Sequence, residues 1–148
     1  MVRQNRIPRY IYLVTILFLV ITGFSQMPIS KRYYIADIPG LAWTGDFFTT
    51  HYMHYIFSII LIGLAAYFLA DYFLVIRKKA RLTVSAYIRS GFIAGLIATG
   101  ALMVIVNLPG TPFSATFVTI LDLAHIGLCM AFLGASLYSL LAKKKWLV

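Results

Sequence analysis

The sequence predicts an all-α integral membrane protein, a four-helix bundle with both termini on the cytoplasmic side. Hydrophobic residues make up 61% of the 148 residues and charged residues only 11%, which is too few to keep a soluble surface in water. Four apolar stretches each approach or exceed the ~20 residues that a spanning helix needs. They cover roughly residues 10–26, 49–76, 84–108 and 114–142.

The loops between these stretches leave no room for a soluble domain, so residues 1–148 are expected to form one transmembrane domain. The first stretch follows three arginines, as a secretory signal would, but residues 23–26 lack a small-x-small cleavage pattern, so we expect it to remain as a helix. Residues 27–48 carry prolines, glycines and aromatic residues, which is typical of a structured interfacial loop that could dock a partner. Residues 109–112 form the second outer connection, a short turn.

The basic residues favour one orientation of the four spans. With alternating spans, only Lys31 and Arg32 fall on one side of the membrane. The basic residues on the other side are Arg3, Arg6, Arg9, Arg77, Lys78, Lys79, Arg81, Arg89, Lys143, Lys144 and Lys145. This positive-inside pattern predicts cytoplasmic termini and a multi-pass location in the inner (cytoplasmic) membrane. The net charge of +9 is then explained by topology and anionic lipid, and no nucleic-acid partner is expected.

Cys129 is the only cysteine of the chain and lies inside the fourth span. A single cysteine excludes a disulfide framework and thiolate metal clusters within this chain. It also excludes covalent haem attachment, which needs two cysteines followed by a histidine. Any haem bound here is therefore non-covalent and b-type.

Three histidines, His51, His54 and His125, stand in or beside this apolar sequence. An ionisable ring in hydrocarbon is costly, so a functional reason is expected. At ~1.5 Å per residue, His54 lies about 10 Å along the second span from its outer end and His125 about 16 Å along the fourth. Both rings therefore fall in the outer leaflet, where two imidazoles can fill the axial positions of one haem iron. Such a haem has no open site and suits one-electron transfer.

Two side chains close to the predicted ligands have alternative interpretations. His51 and His54 share a helix face, so either one can be the ligand. Depth favours His54, and His51 is then an interfacial residue, a propionate contact or a proton carrier. Asp122 precedes His125 by three residues and has three candidate roles: orienting the ring, passing a proton to a quinone, or bonding to another helix. No internal repeat is apparent along the chain.

Short motifs in all four spans resemble the four-helix cytochrome b subunits of respiratory complexes, such as the gamma subunit of formate dehydrogenase and hydrogenase cytochrome b. The motifs are Thr22-Gly23 in the first span, His54 followed by Tyr55-Ile56-Phe57, Thr99-Gly100 in the third, and His125-Ile126-Gly127-Leu128. That family usually holds two haems. The positions of the second pair of ligands are Arg9 and Ser139 here, so the resemblance implies a single haem b near the outer face.

The sequence thus predicts a membrane-anchoring electron-transfer subunit, not catalytic alone. It would pass electrons through one haem b between an extracytoplasmic partner with an iron-sulfur or haem centre (an iron-sulfur or cytochrome c protein) and the quinone pool. Asp122 and His51 are candidates for proton chemistry at a quinone site. One alternative is a small proton-linked transporter or channel that uses Asp122, His125 and His51 as a relay. Another is a structural anchor whose three histidines bind nothing or hold a metal ion.

Overall fold

The computed structural model describes residues 6–27, 29–110 and 112–147, so Arg3 lies outside the described residues. Within these ranges the chain is helical, with one isolated backbone bridge between Leu82 and Leu147. Four of the described helices are long and apolar enough to cross a membrane, which by length and composition makes the chain a multi-pass membrane protein. The all-α class is confirmed. Each predicted span begins and ends within four residues of the bounds of the corresponding helix. The helices are α1 (Arg6–Gln26), a short α2 (Ile29–Arg32), α3 (Phe47–Leu74), α4 (Val84–Val106) and α5 (Ala115–Leu141).

Polar side chains fix where three of the spanning helices begin. Asp46, Thr83 and Ser114 stand directly before α3, α4 and α5, and each side chain accepts a hydrogen bond from the backbone N–H three residues later. First-turn N–H groups have no partner within the helix, so each cap stabilises the start of its helix. At Asp46, hydrogen bonds from the Thr49 hydroxyl and then the Thr49 backbone N–H hold the pKa of the carboxyl below its ordinary value. Gly110 has a φ of 85° in the connection from α4 to α5, a left-handed conformation that favours glycine.

The chain divides into two compact units between Val75 and Ile76. The first unit is a hairpin in which α1 packs against α3. Three small hydroxyl side chains of these two helices, Thr15, Thr22 and Thr50, are fully buried. Such residues let two helix backbones approach closely in a membrane. The single four-helix domain over residues 1–148 stays a prediction.

The connection from α1 to α3 is structured, as predicted. After α2 it forms two 3₁₀ turns, Ile35–Asp37 and Ala42–Gly45. The second turn packs against both α1 and α3, and Thr44 is buried. The interfacial location of this loop and its docking role stay predictions.

The second unit is a hairpin in which α4 packs against α5. Its C-terminal residues return to the start of α4, where the Thr83 N–H donates to the Trp146 carbonyl at 3.0 Å. The Thr83 hydroxyl donates to the Lys145 carbonyl at 2.8 Å. Arg89, a buried residue of α4, lies with its guanidinium carbon 3.9 Å from the centre of the Trp146 ring. These contacts fasten the end of the chain to α4.

Candidate functional site

His54 contacts the buried hydroxyl of Thr22 across the first hairpin. The Thr22 Oγ1 and His54 Nδ1 atoms are 3.0 Å apart. A hydroxyl has one proton to donate, and that of Thr22 is directed to the Phe18 carbonyl at 2.7 Å, as is common for threonine in helices. The Thr22 oxygen is therefore the acceptor in the contact with His54. His54 is the donor, through Nδ1–H.

His125 is held in the same way in the second hairpin. Its Nδ1 lies 2.7 Å from Oγ1 of Thr99 on α4. The Thr99 hydroxyl donates its proton to the Gly95 carbonyl at 2.8 Å, which again leaves the hydroxyl oxygen as the acceptor. His125 thus also has its proton on Nδ1.

This shared arrangement determines which nitrogen of each ring can bind a metal. A neutral imidazole with its proton on Nδ1 keeps a lone pair on Nε2, and a hydrogen bond from Nδ1–H to an oxygen is the usual support of an Nε2 ligand. Each hairpin therefore presents one imidazole, His54 or His125, in the tautomer that ligates through Nε2.

A glycine beside each threonine allows the ring to lie close to the opposite backbone. A Cβ atom at Gly23 would lie 3.2 Å from Cε1 of His54, and one at Gly100 would lie 3.6 Å from Cε1 of His125. The two hairpins thus repeat a set of threonine, glycine and histidine, although no repeat is apparent in the sequence. The repeat is hidden because only three positions of each hairpin carry it.

His51 has a different environment from the other two histidines. Its Nδ1 lies 2.9 Å from Oε1 of Gln26, and because an amide oxygen only accepts, His51 donates. The Gln26 amide nitrogen donates in turn to the Thr22 carbonyl at 3.4 Å. The His51 ring stacks on Phe47 at 5.3 Å and lies 4.4 Å from the ring of Tyr55. Gln26 thus connects His51 to the same threonine whose hydroxyl accepts from the deeper histidine.

Asp122 is exposed on α5. The Nδ1 atom of His125 is bonded to Thr99, so this hydroxyl, rather than the Asp122 carboxylate, orients the ring on its Nδ1 side. The proton-transfer role of Asp122 and its bond to another helix stay predictions.

Ser139 and Arg9, at the positions where the resembling family holds its second haem, have unlike surroundings. Ser139 is buried and donates to the Ala135 carbonyl at 2.7 Å. Its oxygen accepts from the Ser85 hydroxyl at 2.8 Å. Arg9 is exposed on α1. The Ser139 hydroxyl is thus part of the packing of α5 against α4.

No described part of the chain holds a group of three or more His, Cys, Asp or Glu side chains placed to bind a metal ion. The alternative of an ion held by all three histidines therefore gains no support from side-chain placement. His54 and His125 each offer one imidazole nitrogen, the kind of donor that a haem iron takes.

In comparisons with known proteins, no family model, no curated protein and no solved structure matched the chain. The resemblance to respiratory cytochromes b therefore stays a prediction from short motifs.

Sequence reasoning did not assign a role to Thr22, Thr99 or Gln26. The two threonines were visible in the Thr-Gly motifs, but their contacts depend on which face of one helix meets the next. Gln26 had one available signal: an uncharged amide at the end of an apolar run, on the side of the membrane where His51 was expected.

Proposed function

We propose that the chain is a membrane-anchoring b-type cytochrome, with His54 and His125 as the two axial ligands of one haem b. The observation that supports this most strongly is the pair of threonine contacts, which puts the proton of each ring on Nδ1 and leaves Nε2 for iron. A non-covalent haem is required because the chain has one cysteine. A haem held by His54 and His125 would supply one-electron transfer.

The threonines act on the ligands rather than on the iron. Each accepts an Nδ1–H bond, which fixes the plane of the ring and raises the basicity of the ligating nitrogen. The glycine beside each threonine keeps this contact short by leaving space for the ring. Each hairpin therefore positions its own histidine before haem binds, which reduces the ordering cost of binding.

We further propose that both termini are cytoplasmic, in the inner membrane, and that the structured loop of residues 27–48 docks an extracytoplasmic redox subunit. Electrons would pass between that subunit and quinone through this haem. The charge distribution of the sequence supports the orientation. A proton-handling role for His51 is also part of this proposal, and the hydrogen bond from its Nδ1 to the Gln26 amide oxygen would hold its ring in place.

The contact of His125 disfavours the proton-relay alternative of Asp122, His125 and His51. A relay histidine takes a proton on one nitrogen and passes it from the other. At His125 the Nδ1 neighbour is the Thr99 oxygen, whose own proton is bonded to the Gly95 carbonyl. A proton that left Nδ1 would have no onward path through that hydroxyl.

The test is a dithionite-reduced minus oxidised absorption spectrum of the purified chain. We expect a b-type spectrum, lost in His54→Ala and in His125→Ala and retained in His51→Ala. The last variant is the matched control, because it removes an imidazole from the same helix as His54. An unchanged spectrum in either ligand variant would show that the assignment is wrong.

Haem stoichiometry tests the number of sites separately. We expect one haem per chain, because the predicted second-site positions hold Arg9 and the hydrogen-bonded Ser139. Pyridine haemochrome analysis against protein concentration measures this ratio. A ratio of two would refute the single-haem proposal but would not affect the assignment of His54 and His125 as ligands of the first haem.

A further inference from the structure

A cavity of about 440 Å³ opens in the second hairpin, at the end where α4 begins and α5 stops. Its apolar lining includes Val84, Ile88 and Ala135, and its polar lining includes Lys144 and Lys145. The volume is that of an ordinary small-ligand site. The lining combines an apolar wall with two lysines, so it is complementary to an amphipathic anion.

The two lysines are held beside this cavity by their backbone. The N–H of Lys144 donates to the Ser139 carbonyl at 2.9 Å, and the carbonyl of Lys145 accepts from the Thr83 hydroxyl at 2.8 Å. Both partners also line the cavity. The cations are therefore on an anchored segment, which lowers the entropic cost of ordering them around a ligand.

A third basic residue, Arg89, is hydrogen-bonded to a residue that lines the cavity. The Nε–H of the buried Arg89 donates to the Ser85 carbonyl at 3.2 Å, and Ser85 lines the cavity. The only acidic residue of the second hairpin is Asp122. It precedes Ser139 by seventeen residues on α5, which is about 25 Å along the axis at ~1.5 Å per residue. Within the described residues of this hairpin, no side-chain carboxylate therefore neutralises the positive charge at the cavity.

We propose that this cavity binds the phosphate-bearing headgroup of an anionic phospholipid, with the phosphate at Lys144 and Lys145. The acyl chains would lie along Val84 and Ile88, which are exposed. The cavity is at the ends of two helices that can cross a membrane, the depth at which headgroups lie, and basic pockets between spanning helices are known lipid-headgroup sites. The apolar wall favours a lipid over free phosphate.

The experiment measures binding of dioctanoyl phosphatidylglycerol to the full chain in neutral detergent by native mass spectrometry. The double variant K144Q/K145Q should lower the affinity about 25-fold, at roughly fivefold per lysine. K78Q/K79Q is the matched control, since it removes two adjacent lysines of the same unit that do not line the cavity. Ala135→Phe adds a larger side chain to the apolar wall, which narrows the cavity without changing its charge. This variant should also bind the phospholipid more weakly.

Four results would overturn the proposal. An equal loss in both lysine pairs would mean that net charge alone attracts the lipid. Equal affinity for dioctanoyl phosphatidylcholine would mean that the headgroup is not read. Displacement by equimolar inorganic phosphate would assign the cavity to a free anion, and displacement by an equimolar short-chain quinone would assign it to a quinone. Ala135→Phe supplies an independent answer if K144Q/K145Q does not fold.

Discussion

Thr99→Val removes one oxygen from the second hairpin while keeping the shape of the side chain. His125 then loses the acceptor of its Nδ1–H, which lies 2.7 Å away. A partly buried N–H without a partner costs about 1–3 kcal/mol. Loss of such a supporting bond typically lowers the affinity of a metal site about 10- to 100-fold, and at ~1.4 kcal/mol per tenfold the two ranges agree. We therefore expect haem b affinity to fall about 10- to 100-fold.

The assay is transfer of haem from the purified chain to an excess of a haem-scavenging apoprotein, followed by loss of the b-type spectrum. A redox titration of the same samples gives a second measurement. The Nδ1–H bond raises the basicity of the ligand and so favours ferric iron. The midpoint potential should therefore rise in Thr99→Val.

Two control variants separate this effect from general damage to the hairpin. Thr99→Ser keeps the hydroxyl and should keep the haem. Thr119→Val removes a hydroxyl that makes the same type of bond to its own helix, 3.0 Å to the Ala115 carbonyl, but lies outside the histidine contact. If Thr99→Val and Thr119→Val lose haem equally, the threonine contact does not support the ligand and our reasoning is wrong. Thr22→Val should reproduce the result in the first hairpin.

Three further perturbations follow from contacts elsewhere in the two hairpins. Gly23→Ala should lower haem affinity about tenfold, the low end for a disturbed ligand support. Gly100→Ala should lower it less, because the added Cβ meets the histidine ring at 3.6 Å, compared with 3.2 Å at Gly23. Equal losses of affinity in the haem-transfer assay would contradict this prediction. Trp146→Leu removes the ring that faces the buried arginine of α4 and should lower the free energy of unfolding in denaturant by about 1 kcal/mol, whereas no change would mean that this contact adds nothing. The pKa of Asp46 is depressed by its hydrogen bonds from Thr49. The stability that this carboxylate contributes is therefore fully present above the unfolded pKa of about 3.9 and is lost as pH falls through the folded pKa. Thermal unfolding of Asp46→Asn should not show this acid dependence.

The hydropathy of the chain was sufficient to predict the four spanning helices, because a long apolar run has few other stable structures. His54 and His125 could be selected as candidate ligands for the same reason, since a polar ring in such a run is conspicuous. The hydrogen-bond partners of these histidines could not be predicted from the sequence. Thr22 and Thr99 are two of several threonines in the spans, and only the rotation of each helix about its axis decides which one meets a ring.

The positions of the paired residues indicate that the contact itself is what the two hairpins share. Thr22 lies four residues before the end of α1 at Gln26, and Thr99 lies seven before the end of α4 at Val106. The histidines shift with them: His54 is seven residues into α3 and His125 is ten into α5.

Both members of the second pair are therefore three residues deeper, about 4.5 Å at ~1.5 Å per residue. In an antiparallel hairpin a shift of one member alone would separate a hydrogen-bonded pair by that distance. Each threonine therefore stands at the depth of its histidine, as a hydrogen bond across a hairpin requires. The two hairpins make this one contact at depths that differ by three residues, so the contact does not depend on a fixed distance from the helix ends.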